Sequence, residues 1–203
     1  IPENIATDII FVGDQDRVDK ITNNFDSVEF TTQKREFKTS TGLYKGKRIS
    51  VISTGIGPDN IDIVINELDA LVNIDLATRT IKPTHTALNI VRVGTSGSLQ
   101  NDIPVDSFLM STFGLDLNGM MLSYQVDEIS HPEIENAFVK HTNWSAKKCH
   151  PIIIENIFIA TNLNLFKNAS GVIFGMIIRP EKSIIPVINF LRKNYDIPHI
   201  HSH

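Results

Sequence analysis

Asp8-Ile9-Ile10-Phe11-Val12-Gly13-Asp14-Gln15-Asp16-Arg17 begins as a short apolar strand and ends in a glycine-led turn. Five residues of this kind read as a buried strand, and Gly13-Asp14 closes it. A helix is expected directly afterwards, carrying Arg17, Val18, Ile21 and Phe25 at helical spacing. Further strands are expected at 28–30, 36–40 and 48–53, with Tyr44-Lys45-Gly46-Lys47 as the hairpin turn between the last two. Residues 59–72 give the clearest helix. Ile61, Val64, Ile65, Leu68 and Leu71 make one apolar stripe there, and Asp59 or Asn60 is its expected cap.

Residues 73–86 are polar and read as a loop before a strand at 88–93, and 107–113 reads as another buried strand. In the last third, 133–140 and 184–195 are expected to be helical. The second of these shows Ile184, Val187, Ile188 and Leu191 on one face. The apolar runs 152–159 and 171–178 are strand-like, and the asparagine-rich 162–170 is loop-like. Strands alternating with helices predict an α/β fold, a single domain over residues 1–203 with a central mixed β-sheet flanked by helices. No internal repeat interrupts this pattern.

The chain has 203 residues, 41% hydrophobic and 21% charged, and is long enough to bury a sizeable core. Its net charge of −4 offers no basic footprint, so no nucleic acid is expected as a partner. A lone cysteine, Cys149, cannot form an internal disulfide, which fits a cytoplasmic setting. No apolar run approaches the ~20 residues of a membrane span, and no signal-peptide pattern is present. The chain starts Ile1-Pro2-Glu3 without a methionine, and a processed or incomplete product is expected.

Chemistry concentrates at a few strand ends. Arg92-Val93-Gly94-Thr95-Ser96-Gly97 sets a guanidinium, a hydroxyl and permissive glycines together, which suits an anion. Gly13 followed by Arg17 is a second such place, because a strand-to-helix turn presents backbone N–H groups and the positive end of a helix dipole. Lys34-Arg35-Glu36-Phe37 is a charged cluster, and Ser53-Thr54-Gly55-Ile56-Gly57 closes another strand. Taken singly, each has an ordinary structural explanation as a turn or a solvated surface. Taken in order, Gly13, Ser53 and Arg92 are strand ends of the kind where ligands sit in an open α/β sheet, and the Arg35 cluster opens a strand between them.

That ordered set, from Ile10 through Arg17, Arg35-Glu36-Phe37 and Ser53–Gly57 to Arg92-Val93-Gly94-Thr95-Ser96-Gly97-Ser98-Leu99-Gln100, resembles the nucleoside phosphorylase superfamily, and within it the uridine phosphorylase branch. The resemblance covers about residues 5–125. It implies that Gly13, Arg17, Arg35, Arg92 and Thr95 bind phosphate, with Arg92 and Thr95 in the catalytic centre. Thr95, Ser96 and Gly97 would face the ribose and base. Arg35 would act across a homodimer, or a higher oligomer built from dimers, in the neighbouring subunit's site. Glu36, Ile56 and Asn60 would hold a monovalent cation between subunits. Phosphate would serve as co-substrate and no organic cofactor is implied.

The implied reaction is phosphorolysis of the N-glycosidic bond of a pyrimidine nucleoside, giving free base and pentose 1-phosphate. Two alternatives are carried with it: a nucleoside hydrolase of the same fold, and a non-catalytic or impaired phosphate- or nucleoside-binding homologue. The resemblance also implies two later signatures, a base-reading phenylalanine–glutamine–arginine run and a ribose-gripping glutamate–methionine–glutamate run, and neither is found. Glu133-Ile134-Glu135 reads instead as the polar start of a surface helix, and Arg179 has no glutamine companion. The chain is therefore expected to be truncated or to lack an internal segment in its C-terminal third. His199, His201 and His203 read as a chain-end feature, and His85, His131, His141 and His150 lack metal-ligand spacing.

Overall fold

Alternation along the central strands buries one set of side chains on each face of a sheet. In β1 (Asp8–Val12) and β4 (Lys47–Ser53), Ile9, Phe11 and Ile52 pack with Val64 and Leu68 of α2 (Pro58–Asn73). Val12 and Val51 face the other way and pack with Val18 of α1 (Gln15–Thr22). Period-two strands thus receive a helix on either side. The computed structural model describes residues 1–95, 102, 104–106, 111–127, 129–144, 152–155, 171–173 and 200–201. The chain divides into two compact units, 1–95 and 96–203.

In the first unit the sheet order is β2-β3-β4-β1-β7, with β2 at Ser27–Lys34, β3 at Phe37–Tyr44 and β7 at Asn89–Arg92. β1 runs parallel to both β4 and β7, while β2, β3 and β4 are joined antiparallel. This is the expected mixed sheet flanked by helices. β1 is also tied laterally by its first side chain: Asn89 donates to Asp8 at 3.0 Å and Lys47 pairs with it at 3.1 Å. These partners hold the Asp8 carboxyl below its usual range. Its stabilising contribution is complete above the ordinary carboxylate pKa of about 3.9 and fades only in stronger acid.

Several expected boundaries move, each for a local reason. α1 starts where Asp14 accepts from the Arg17 backbone N–H at 2.9 Å, a side-chain cap. It stops at Thr22, because the Asn24 amide donates to the carbonyls of Lys20 and Ile21. Phe25 lies beyond the helix and packs on the Val12, Val18 and Val51 cluster. For α2 the expected Asp59 or Asn60 cap is incorrect. Gly57, at φ 108°, is the N-cap with no side-chain bond, and Pro58 opens the helix. Its buried row is Val64, Leu68 and Val72, and Ile65, one position off that row, is exposed.

The strands at 28–30 and 36–40 extend into a full hairpin, β2 and β3, joined by the two-residue turn Arg35-Glu36. β2 is an edge strand exposed along nearly its whole length, so its polar composition hid it. Tyr44 to Lys47 is the expected turn, with Lys45 and Gly46 both at positive φ. The expected loop at 73–86 contains a small hairpin, β5 (Ile74–Asp75) with β6 (Thr80–Ile81). Strands of two residues are too short to show a period.

In the second unit β8 (Ser111–Asp116) pairs antiparallel with β9 (Ile152–Glu155) and parallel with β10 (Gly171–Ile173), which pairs with β11 (Ile200–His201). α3 (Pro132–Thr142) covers the expected helix at 133–140 and lies against β9. It buries Phe138, whose ring meets Trp144 edge-on at 5.8 Å. Residues 107–110, 156–159, 174–178, the loop 162–170 and the helix 184–195 expected from the sequence lie outside the described residues. Among the described residues no helix is long and apolar enough to cross a membrane. Phe11 is 2% exposed at the sheet's α2 face. Phe11→Ala should cost about 3–5 kcal/mol, read as a lowered urea midpoint at unchanged m-value.

Candidate active site

Three parallel strands, β4, β1 and β7, end at the same edge, and the register aligns their last residues. Val12 stands beside Ser53, and Phe11 beside Arg92. The ladder continues past the strand ends, with Thr54 N–H donating to the Val12 carbonyl at 2.9 Å and Val93 N–H to the Phe11 carbonyl at 2.8 Å. Gly13, Thr54 and Arg92 are therefore neighbours. Because β3 runs antiparallel to β4, its first residues and the Arg35-Glu36 turn reach this same edge. Four separate segments converge through strand direction alone.

Arg17, one turn into α1, is held from two sides. Its Nε pairs with Asp14 Oδ2 at 2.8 Å, and its Nη2 donates to Thr95 Oγ1 at 3.2 Å. Asp14 thus caps the helix with one oxygen and aims the guanidinium with the other. Arg92 approaches Arg17 and has no hydrogen bond or ion pair to any described residue. Its guanidinium is pushed below the ordinary arginine range, first by desolvation and then by the charge on Arg17. Arg92 still has solvent access, so the desolvation reflects crowding by surrounding protein rather than a sealed position. Arginine stays protonated here. Two cations side by side, one with no carboxylate partner, are relieved by an anion between them.

Gly13 sits at the helix N-terminus beside these groups. A Cβ on Gly13 would meet no atom within 4 Å, so its packing does not require glycine. The sequence-predicted residues Gly13, Arg17, Arg92 and Thr95 are brought together. Arg35 reaches the same edge but stays apart, and its side chain has no hydrogen bond or ion pair to a described residue. Ser96 and Gly97 lie outside the described residues.

Glu36, Ile56 and Asn60 also converge, around Gly55. Asn60 Nδ2 donates to the Ile56 carbonyl at 3.1 Å. A Cβ on Gly55 would lie 2.8 Å from Glu36 Cγ and 2.9 Å from Asn60 Nδ2, and its φ of +73° disfavours a side chain as well. No group of three or more His, Cys, Asp or Glu residues suited to a metal occurs among the described residues. Glu133 and Glu135 fall in the first turn of α3, as the polar helix start expected.

Two groups at this edge carry weak sequence signals. Asp14 was legible only as part of the turn that closes the strand, since its roles as helix cap and partner of Arg17 both need the folded turn. Ser53, fully buried, donates to the Glu36 carbonyl at 2.7 Å and accepts from Lys38 N–H at 2.7 Å. Nothing in its sequence setting separates it from any serine at a strand end.

The fold and this edge define an α/β protein with a cluster of cationic side chains at its strand ends. The chain belongs to the phosphorylase superfamily, whose family model matches residues 7–142. It is 32% identical over 123 residues to a uridine phosphorylase of Thermococcus kodakarensis, covering 61% of this chain and 39% of that protein. It is 33% identical over 131 residues to a uridine phosphorylase of Haemophilus influenzae, covering 64% and 46%. A DeoD-type purine nucleoside phosphorylase of Exiguobacterium is 36% identical over 102 residues, covering 50% and 38%. The chain thus spans less than half the length of these relatives. In fold it is similar to a Trypanosoma brucei nucleoside phosphorylase with uridine phosphorylase activity, at TM-score 0.66 and 24% identity, covering 85% of this chain and 63% of that one.

Arg92→Ala should weaken the binding of inorganic phosphate at least tenfold by calorimetry, the scale of one lost charge-assisted contact. Its Tm should not fall, because the substitution also removes the repulsion from Arg17. Gly13→Ala should likewise keep the wild-type Tm. Unchanged phosphate affinity in Arg92→Ala would remove Arg92 from the site.

Proposed function

We propose that this protein is a nucleoside phosphorylase acting on a pyrimidine, uridine-like nucleoside. The observation that carries this reading is the Arg17 and Arg92 pair beside Thr95 and Gly13, with Arg92 free of any carboxylate partner among the described residues. Family membership adds a chemical context in which such an anion is a reactant. The relatives above include both uridine and purine nucleoside phosphorylases, and the uridine phosphorylases among them support the pyrimidine choice.

In this reaction a phosphate oxygen bonds to the anomeric carbon as the bond from that carbon to the base nitrogen breaks. The base leaves with the electron pair and takes up a proton, and the sugar passes through a state with oxocarbenium character. Arg17, Arg92 and the Gly13 N–H would hold the phosphate beneath the anomeric carbon, and Thr95 would bridge phosphate and sugar. Positioning and charge stabilisation supply the catalysis, and no covalent enzyme intermediate is required. The arginine contacts strengthen once substrate displaces water.

Arg35 is proposed to complete a neighbouring subunit's phosphate site in a homodimer. Its place at the site edge, and a side chain without a hydrogen bond or ion pair among the described residues, support that role. Glu36, Ile56 and Asn60 are proposed to hold a monovalent cation between subunits; the Glu36 and Asn60 side chains meet around Gly55, and Asn60 donates to the Ile56 carbonyl, which supports their acting as one group.

Base release from uridine, followed with and without phosphate, tests the activity. Release that requires phosphate is expected. Release in its absence would mean a hydrolase, and none under either condition would mean a binding homologue. If Arg35 works across subunits, mixing Arg35→Ala with Arg92→Ala protein should regain part of the activity that each lacks. Absence of recovery after verified subunit exchange would place Arg35 outside the partner's site.

A further inference from the structure

Arg35 takes the left-handed conformation at φ 56°, unusual for a residue with a side chain, so something must hold the turn between β2 and β3. The turn's two carbonyls are held by side chains of two different elements, β4 and α1. Ser53 Oγ donates to the Glu36 carbonyl at 2.7 Å, and Gln15 Nε2 donates to the Arg35 carbonyl. Gln15 is itself fixed, because its Oε1 accepts from Gln33 Nε2 at 2.7 Å across the base of the hairpin. One turn further along α1, Asp19 pairs with Lys38 of β3 at 2.6 Å, with the Lys38 side chain only 15% exposed. Gln15 and Asp19, four residues apart, therefore make one helix face that docks the hairpin.

Gln15 is the first residue of α1, two after Gly13 and two before Arg17. The contact thus joins the anion-accepting turn to the turn that carries Arg35. We propose that Gln15 is a positioning residue: its amide fixes the Arg35 turn on the first turn of α1 and so sets the pose in which the Arg35 guanidinium is presented to the neighbouring subunit's site. This rests on the phosphorylase reading for its effect on catalysis, but not for its effect on the hairpin. The functional consequence follows from geometry. A left-handed turn without its carbonyl anchor relaxes, and an arginine on a relaxed turn spends less time in the one pose that meets phosphate.

Gln15 is only half-buried, so its variants should fold. In Gln15→Ala, amide hydrogen exchange at residues 34–37 should accelerate about three- to tenfold, the equivalent of one neutral hydrogen bond. Exchange in β4 and α2 should not change. Gln15→Glu keeps the size and can still accept from Gln33, but it cannot donate to the Arg35 carbonyl, and it should accelerate exchange at least as much. In uridine phosphorolysis by the full chain, the apparent phosphate KM should rise by a similar factor in both variants, with kcat and nucleoside KM nearly unchanged. In an Arg35→Ala background, Gln15→Ala should add nothing further.

Unchanged exchange at residues 34–37 would overturn the proposal. So would an equal rise in phosphate KM with and without Arg35. If the wild-type protein releases no base, the phosphorylase reading fails, and hydrogen exchange alone still decides whether Gln15 holds the turn.

Discussion

The structure of the first unit depends on β1 being paired on both sides by parallel strands. Parallel pairing puts the carboxyl ends of β4, β1 and β7 at one edge, and the registers set Arg92 beside Phe11 and Ser53 beside Val12. Side chains continue the same bracing at the other end of β1, where Asp8 engages Asn89 of β7 and Lys47 of β4. A chain so arranged must cross over between parallel strands, and α1 and α2 cover the two faces in doing so. The buried residues then follow from strand alternation rather than from any special packing device.

At the edge itself, two arginines stand near each other and differ in their partners. Arg17 is compensated by Asp14, whereas Arg92 sits near Arg17 with no carboxylate partner among the described residues. Under the proposed function, such a charge would be pre-organised for the phosphate, with the cations already assembled before it arrives. The glycine at position 13 fits the same view, as its own surroundings would admit a methyl group.

Much of the site was legible in the sequence because its residues lie next to signals of local structure. Gly13 ends an apolar strand, Arg17 stands one turn into a capped helix, and Arg92 ends another strand. Their order along the chain, read as strand ends, places them at one edge of the sheet. Asp14 and Gln15 lie in the same stretch, yet their partners are set by three-dimensional proximity. Asp14 meets Arg17 through the geometry of the first helical turn, and Gln15 meets Arg35, 20 residues away, through the antiparallel return of a hairpin. The α2 cap was misplaced for a related reason. Asp59 and Asn60 have good capping side chains, but Gly57 takes the position because its positive φ turns the chain out of Thr54-Gly55, and Asn60 turns back to Ile56 instead.

The sequence by itself determined the α/β class, the strand-to-helix turns and the cationic residue types at strand ends, because apolar periodicity and glycine placement act over a few residues. It also carried the family, through the order of four short motifs. Tertiary structure decided which of those residues meet. Strand direction and register joined Gly13, Arg17, Arg92 and Thr95, gathered Glu36, Ile56 and Asn60 around Gly55, and brought Arg35 to the same edge without joining it to the arginine pair. Pairing between distant strands is a non-local interaction, and no local pattern encodes its register until the core of Ile9, Phe11, Val12 and Val51 is packed.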